Sequence, residues 1–265
     1  VLREEIGSAG FVHLHSVWDP ILLRAARLCR TANRPYCVLL NGMLHPWSLR
    51  QAALKKRIAL AVAYRRMLDG AAFLHAGNQD ERLAIEPLGL RAPIELIPNG
   101  VNEEEFASLP PPERFRREHP GLGENPYILF LSRLHYKKGL DHLAESFRIV
   151  AGERKEVHLV VAGADDGAQA DFERRIREAG VADRVHIVGP VYGEMKIAAL
   201  AGAAAFCLPT RQEGFSVAIT EALAAGAPCV VSYSANYPEV QEAGAGRVVP
   251  LEPAKVAEAL LEILG

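Results

Sequence analysis

"YILFLSRLHYKKGLDHLAESFRIVAGERKEVHLVVAG", residues 127–163, decides the fold. Its two ends, "YILFLS" and "VHLVVAG", are almost wholly apolar. Neither alternates with polar residues, so neither reads as a strand with one wet face. Between them, "GLDHLAESFRIVAG" spaces its apolar residues as an amphipathic helix does. Near-continuous apolar strands separated by such helices indicate a parallel sheet covered on both faces.

The rhythm runs on to the end of the chain. Helix "AQADFERRIREAG" leads to strand "RVHIVG", a short helix near 194–201 and strand "AAFCLP". Then come helix "SVAITEALAAG", strands "PCVVSY" and "GRVVP", and a last helix "PAKVAEALLEIL". Residues 127–265 are therefore expected to form a doubly wound α/β domain. Upstream the same grammar is shorter. "FVHLH", "YCVLL", "AAFLHAG" and "IELIPNG" read as strands, with helices near 19–31, 48–69 and 80–88. The boundary falls near residue 105, so residues 1–105 form a first domain with fewer strands than such a domain usually carries. Residues 106–126, containing "ASLPPPERFRREHPGLGENP", read as a linker. No internal repeat is visible.

Composition bounds the function. The chain has 265 residues, 49% of them hydrophobic and 23% charged, as in a globular protein with a substantial core. A net charge of −2 gives no overall basic field and argues against nucleic acid as partner. Cys29, Cys37, Cys207 and Cys229 form no C-x-x-C pair, and reduced core thiols in a cytoplasmic setting are expected. No apolar run approaches the roughly 20 residues of a membrane helix. Val1-Leu2-Arg3-Glu4-Glu5 lacks the basic-then-apolar order of a signal peptide, and the missing initiator Met points to a start further upstream.

The chemistry is expected around "EGFSVAITEALAAG", residues 213–226. "AAFCLPT" should end a strand, and "RQEGF" is the turn beyond its carboxyl end. Ser216 is the expected N-cap of the following helix, and Gly226 suits its stop. Doubly wound sheets bind ligands beyond the carboxyl ends of their strands. The first helical turn offers unpaired N–H groups and the positive end of the dipole to a phosphate. Gly214 lets the backbone come close. Glu213 sits at the lip, and Glu221 lies about 7.5 Å further along the axis than Ser216. Two readings of these acids stand: one near a sugar and one near a ribose of a nucleotide-sugar, or a solvated Glu213 with a locally paired Glu221.

These motifs resemble the retaining glycosyltransferases of the GT-B fold, in the large bacterial family 4. "EGFSVAITE" is similar to that family's E-x7-E signature, and "SRLHYKKGL", "IPNGV" and "VVAG" fall in the expected order. "HLHSVWDP" and "NGMLHPWSLRQAALKKR" resemble segments of its acceptor-side domain. The resemblance covers essentially the whole chain. It implies two doubly wound Rossmann-like domains facing a cleft. It also implies that the N-terminal domain lacks the family's first strands and Gly-rich loop, and that the family's last returning helix is absent after Gly265.

The implied donor is a nucleotide-sugar, UDP- or GDP-linked. The implied acceptor is a saccharide or lipid-linked saccharide, in bacterial surface polysaccharide synthesis. On this resemblance Arg133 and Lys138 grip the donor diphosphate, and two fixed cations can replace a metal in stabilising the leaving group. Apart from the resemblance, the same residues read as a solvated basic loop. Glu213 would contact the transferred sugar and Glu221 the ribose. Backbone at Gly214, Phe215, Ser216 and Val217 would hold the distal phosphate. Val188, Gly189 and Pro190 would border the base, and Gly163 would leave room for the nucleotide. No cofactor and no metal are expected. No D-x-D triplet occurs, and Asp165-Asp166 reads as a polar turn. With no obvious carboxylate nucleophile, front-face attack is favoured, the departing phosphate taking the acceptor proton.

The sequence also departs from the family. Asn41 stands where relatives usually carry a His beside the donor sugar, and Asn cannot carry a proton. His45 is not expected to replace it. His13 and His15 share one strand face, and His15, nearer the strand end, is the better acceptor contact. A metal there would need a third ligand that the sequence does not name. Residues 48–68 form a basic helical stretch with Lys55, Lys56, Arg57, Arg65 and Arg66. It is either a wet face or a peripheral contact with the inner face of the cell membrane. Asn99-Gly100 is a hinge candidate. Two other readings are a non-catalytic nucleotide-sugar-binding module and a sugar-nucleotide epimerase of the same fold. A dehydrogenase is opposed by the lack of a G-x-G-x-x-G after a strand.

Overall fold

Every strand in the chain pairs parallel with its neighbours. The computed structural model describes residues 1–265 and separates them into two units, Val1–Asn99 and Gly100–Gly265.

In the first unit β1 (Val12–His15), β2 (Tyr36–Leu39), β3 (Phe73–Ala76) and β4 (Ile94–Leu96) lie side by side in chain order. Register sets Leu14 beside Val38, Val38 beside Leu74 and Leu74 beside Ile94. That apolar row packs on Ala25, Ala26 and Cys29 of helix Pro20–Thr31 and on Met67 and Leu68 of helix Arg65–Asp69. Asp19 caps the first of these helices, accepting from the Ile21 N–H at 2.9 Å, and Pro20 fits its first position.

The second unit holds β5 (Tyr127–Leu131), β6 (His158–Ala162), β7 (Val185–Gly189), β8 (Ala205–Leu208), β9 (Cys229–Ser232) and β10 (Gly246–Val249). Their order is β10-β9-β8-β5-β6-β7. Every residue of β5, β6, β8 and β9 is buried, the reason their sequences read as unbroken apolar runs. Helix Leu140–Glu153 turns Leu140, Leu143, Ala144, Phe147, Val150 and Ala151 into this core. The strand order reverses between β5 and β8, and in doubly wound sheets ligands bind beyond the strands' carboxyl ends at such a switch point.

Two expectations change. The segment expected as a linker, 106–126, belongs to the body of the second unit. Phe115 and Leu122 are fully buried in its core, and Arg116 lies over the Tyr127 ring while bonding the carbonyls of Gly123 and Asn125. The Pro-rich composition marks tight turns here, with apolar anchors between them. The helix expected over 48–69 is broken at Ala52, which is left-handed at φ 57°. Helix Pro46–Arg50 precedes the break. Helix Ala53–Ala59, a wider π turn over Leu60–Tyr64 and helix Arg65–Asp69 follow it. All four cysteines are free and buried, and burial pushes the Cys229 thiol up to about 12.

Candidate functional site

The loops that follow β5 and β8 meet at the switch point. Tyr136–Lys138 forms a single 3-10 turn, closed by Gly139 at φ 71°. A Cβ on Gly139 would stand 1.8 Å from the Pro209 carbonyl oxygen, so glycine alone lets the two loops touch. Several bonds then stitch them. The Thr210 hydroxyl and the Arg211 N–H both donate to the Lys137 carbonyl, at 2.9 and 2.8 Å. Arg211 forms a fork on Asp141 at 2.8 and 2.6 Å, and its guanidinium lies 3.9 Å from the centroid of the Tyr136 ring. Burial opposes charge on Asp141, but the bonds and charge of Arg211 win and hold its carboxyl below the usual carboxylate range.

This scaffold aims Lys138 at Glu213. The ammonium donates to Glu213 Oε1 at 2.5 Å, with the two side chains only 14% and 8% exposed. Glu213 is fixed through its backbone as well. Its N–H donates to Ser234 O at 3.0 Å, and its carbonyl accepts from Gln212 Nε2 and Asn236 Nδ2. Gln212 itself is buried, and its Oε1 has no hydrogen-bond partner in the chain. Lys137 is the third cation of the loop. Burial pushes its ammonium below the usual lysine range, Lys138 and Arg133 add to that, and Glu213 opposes it.

Beyond Glu213 the chain passes Gly214 and Phe215 and begins helix Val217–Ala224. Ser216 is buried at the N-cap, as expected, but its hydroxyl does not cap the first turn. Phe215 packs on Tyr237, ring centroids 5.3 Å apart, which braces this approach to the helix. Glu221, on the same helix, accepts from Lys196 at 2.6 Å through Oε1. Lys196 stands on helix Gly193–Ala201, whose N-cap, Tyr192, follows the Val188-Gly189-Pro190 stretch and is exposed. Two acid–cation pairs thus serve this loop and helix, Lys138–Glu213 before the helix begins and Lys196–Glu221 within it. Lys196 went unnoticed in the sequence. No motif marks it, and 25 residues separate it from its partner.

Other expected residues lie elsewhere. Arg133 is exposed and pairs with Asp166. It is near enough to affect Lys137 but takes no part in the Lys138–Glu213 pair. Asp165 forms a polar turn, its Oδ1 accepting from the N–H groups of Gly167, Ala168 and Gln169. Gly163 also lies tight against backbone: a Cβ there would stand 1.8 Å from Ser132 O. Gly189, at a register shift between β6 and β7, accepts from Gly163 N at 2.9 Å.

Asn41 and His15 belong to the first unit. Asn41 is left-handed at φ 51° in the turn after β2. That turn is held by Glu81, a buried carboxylate that accepts from Gly42 N and, at 2.8 Å, from Gly77 N. Glu81 was missed in the sequence, although Asn78-Gln79-Asp80-Glu81 has the spacing of a capping box and Asn78 does cap Glu81 N. His15 is exposed beside His13, rings 4.4 Å apart. His13 meets His75 at 3.3 Å, and His75 is tied to Ile97 O at 2.6 Å. No three His, Cys, Asp or Glu side chains are grouped so as to hold a metal ion.

Residues 125–265 match the family described as "Glycosyl transferases group 1", and residues 7–100 match the "Glycosyl transferase 4-like domain". A GDP-mannose-dependent alpha-(1-6)-phosphatidylinositol monomannoside mannosyltransferase of Mycobacterium tuberculosis is 32% identical over 186 residues, 66% of this chain and 48% of that protein. A phosphatidyl-myo-inositol mannosyltransferase of Mycobacterium leprae is 30% identical over 194 residues, 69% of this chain and 49% of that protein. The chain spans about half the length of the curated relatives it matches. Among solved structures, Anabaena Alr3699/HepE in complex with UDP and glucose superposes with a TM-score of 0.80 at 21% identity. The match covers 98% of this chain and 69% of that one.

Proposed function

The chain belongs to the group 1 glycosyl transferases, and from that premise we propose that its second unit binds a nucleotide-sugar and that the whole protein transfers the sugar with retention of configuration. Its fold is that of the GT-B glycosyltransferases, each unit contributing one Rossmann-like half. The observation that carries the proposal is the Lys138–Glu213 pair at the switch point of the six-stranded sheet, beside the start of helix Val217–Ala224. A nucleoside diphosphate is an anion, and helix N-termini at such crevices favour anions.

Roles follow from position. Lys138 meets the diphosphate and stabilises the charge that develops as the leaving group departs. Arg133 reaches the same anion by exchanging Asp166 for phosphate, and no metal is required of this arrangement. Glu213, held by Lys138, accepts from hydroxyls of the sugar. Glu221, held by Lys196, accepts from the ribose. Gln212 Oε1, a buried acceptor with no partner, lies next to Glu213 in the same loop. In the transfer, the bond from the anomeric carbon to the diphosphate oxygen breaks and the acceptor oxygen bonds that carbon on the same face. The acceptor proton passes to the departing phosphate oxygen. Because the relatives' names specify GDP-mannose and phosphatidylinositol mannosides, GDP-mannose is the first donor to test, and a saccharide or lipid-linked saccharide the first acceptor class.

The test is titration of the chain with GDP, UDP and their sugar conjugates in the presence of a chelator. Saturable binding that raises the melting temperature is expected for one base, and no response to either would end the donor-site reading. Turnover by the full-length protein, with the anomer of the product read by NMR, checks retention. Donor bound with neither transfer nor hydrolysis would favour a binding module instead.

A further inference from the structure

Aromatic rings are normally put to use inside a fold, and most of this chain's seven tyrosines are. Tyr36, Tyr64, Tyr127 and Tyr237 are buried, and Tyr136 lies against the Arg211 guanidinium. Two rings are left free, Tyr192 and Tyr233. Tyr233 follows β9, next to the Ser234 carbonyl that anchors Glu213. Tyr192 follows β7 and is 76% exposed. Its ring stacks on no other ring or cation, and its hydroxyl bonds nothing in the chain.

Tyr192 caps helix Gly193–Ala201, and Lys196, one turn on, donates its N–H to Tyr192 O at 3.3 Å. Residues four apart share a helix face, so the ring and the Lys196 side chain stand on one side, about 6 Å apart along the axis. The Lys196 ammonium in turn holds Glu221 at 2.6 Å. Gly189 and Gly193 lie before and after the ring in the chain, both left-handed, at φ 72° and 52°. A Cβ on either would meet nothing within 4 Å, so the turn that carries the ring faces open space. An exposed ring, an open turn and a carboxylate held by a cation thus lie together at the amino end of one helix.

We propose that Tyr192 is the platform for the donor's base: the base of a nucleoside diphosphate stacks flat on its ring while the ribose hydroxyls meet Glu221. The spacing suits this, because only the width of the sugar separates base from hydroxyls, about the one-turn step from Tyr192 to Lys196. Val188, Gly189 and Pro190, expected to border the base, then supply the open turn, and the ring is the surface that the base meets. Every base can stack on an aromatic face, but a fused purine covers more of it than a pyrimidine does. Guanine is thereby favoured over uracil, through contact area rather than through hydrogen-bonded readout. The inference rests on the donor-site reading and adds to it a base-selecting residue that no motif marks.

The experiment is titration of the full chain and its variants with GDP, UDP and inorganic pyrophosphate, which has the diphosphate but no base. Tyr192→Ala should bind GDP about tenfold more weakly, UDP by a smaller factor, and pyrophosphate as before. Tyr192→Phe should bind GDP as the parent does, since the ring and not the hydroxyl makes the contact. Tyr192→Trp should also bind, and its added fluorescence, read as the difference from the parent, should be quenched by GDP and not by pyrophosphate. The proposal is overturned if Tyr192→Ala binds GDP as the parent does, if it loses UDP or pyrophosphate to the same degree, or if the new indole is not quenched. Those results leave the donor site standing. A parent that binds none of the three ligands removes the donor site and this platform together.

Discussion

At the scale of the residue, the pair Lys138–Glu213 separates stability from ligand binding. Lys138→Met leaves a carboxylate nearly buried and unpaired, expected to cost about 3–5 kcal/mol. Adding Glu213→Gln removes the stranded charge, so the double variant should regain most of that stability. It should not regain nucleoside diphosphate affinity, which is expected to remain roughly ten- to a hundredfold down. Thermal melts and titrations on the two variants check this. If affinity returned together with stability, the pair would be structural only. Both residues were legible because each sits in a short contiguous motif, "HYKKGL" and "EGFSVAITE". Lys196 was not, since only the packing of two helices brings it to Glu221. Arg133 was legible as a cation, but its Asp166 partner is 33 residues away and could not be foreseen.

At the scale of the element, one loop positions another. The Arg211 fork on Asp141 and its stacking on Tyr136 hold the Lys138 loop against the Glu213 loop. Arg211→Lys keeps the charge and loses both the fork and the stack. The expected result is about a tenfold loss of diphosphate affinity through misplacement of Lys138, with the helical circular dichroism unchanged. An unchanged affinity would make the stitching irrelevant to the site. Strands were the most readable elements, because burial on both faces writes itself as an apolar run in β5, β6, β8 and β9. The stretch from 48 to 69 was less so. Its composition favours helix throughout, and nothing in the residue type of Ala52 announces a left-handed break. The supposed linker misled for a related reason: prolines signal turns without saying whether Phe115 between them is buried.

For the molecule as a whole, a histidine cluster of the second unit should contribute to acid sensitivity. His158 Nδ1 lies 2.8 Å from His186 Nε2, so one ring donates to the other, and His119 is packed on Phe115. Burial pushes all three below the usual histidine range. Arg184 and Arg116 add to this at His158, where Asp183 opposes, and His158 and His119 add to it at His186. Groups with depressed basicity are charged more readily in the unfolded chain. Their contribution is therefore full above about pH 6.5 and is lost as pH falls through the lowered values. Melting temperature should fall between about pH 7.5 and 5.5. His186→Gln should flatten that slope, and an identical slope would place the sensitivity elsewhere. None of this was legible, because His158 and His186 belong to neighbouring strands and meet only through sheet register, and His119 follows a helix far from both in sequence.

The near-neutral total conceals a lopsided molecule. With ten cations and no acids confined to residues 20–68, the remainder carries twenty cations against thirty-two acids, net −12. Charge is thus segregated along the chain, positive over residues 20–68 and negative over the rest, although the total almost vanishes. Long-range forces on a negatively charged partner would therefore be felt first by that one segment, and added salt would screen them.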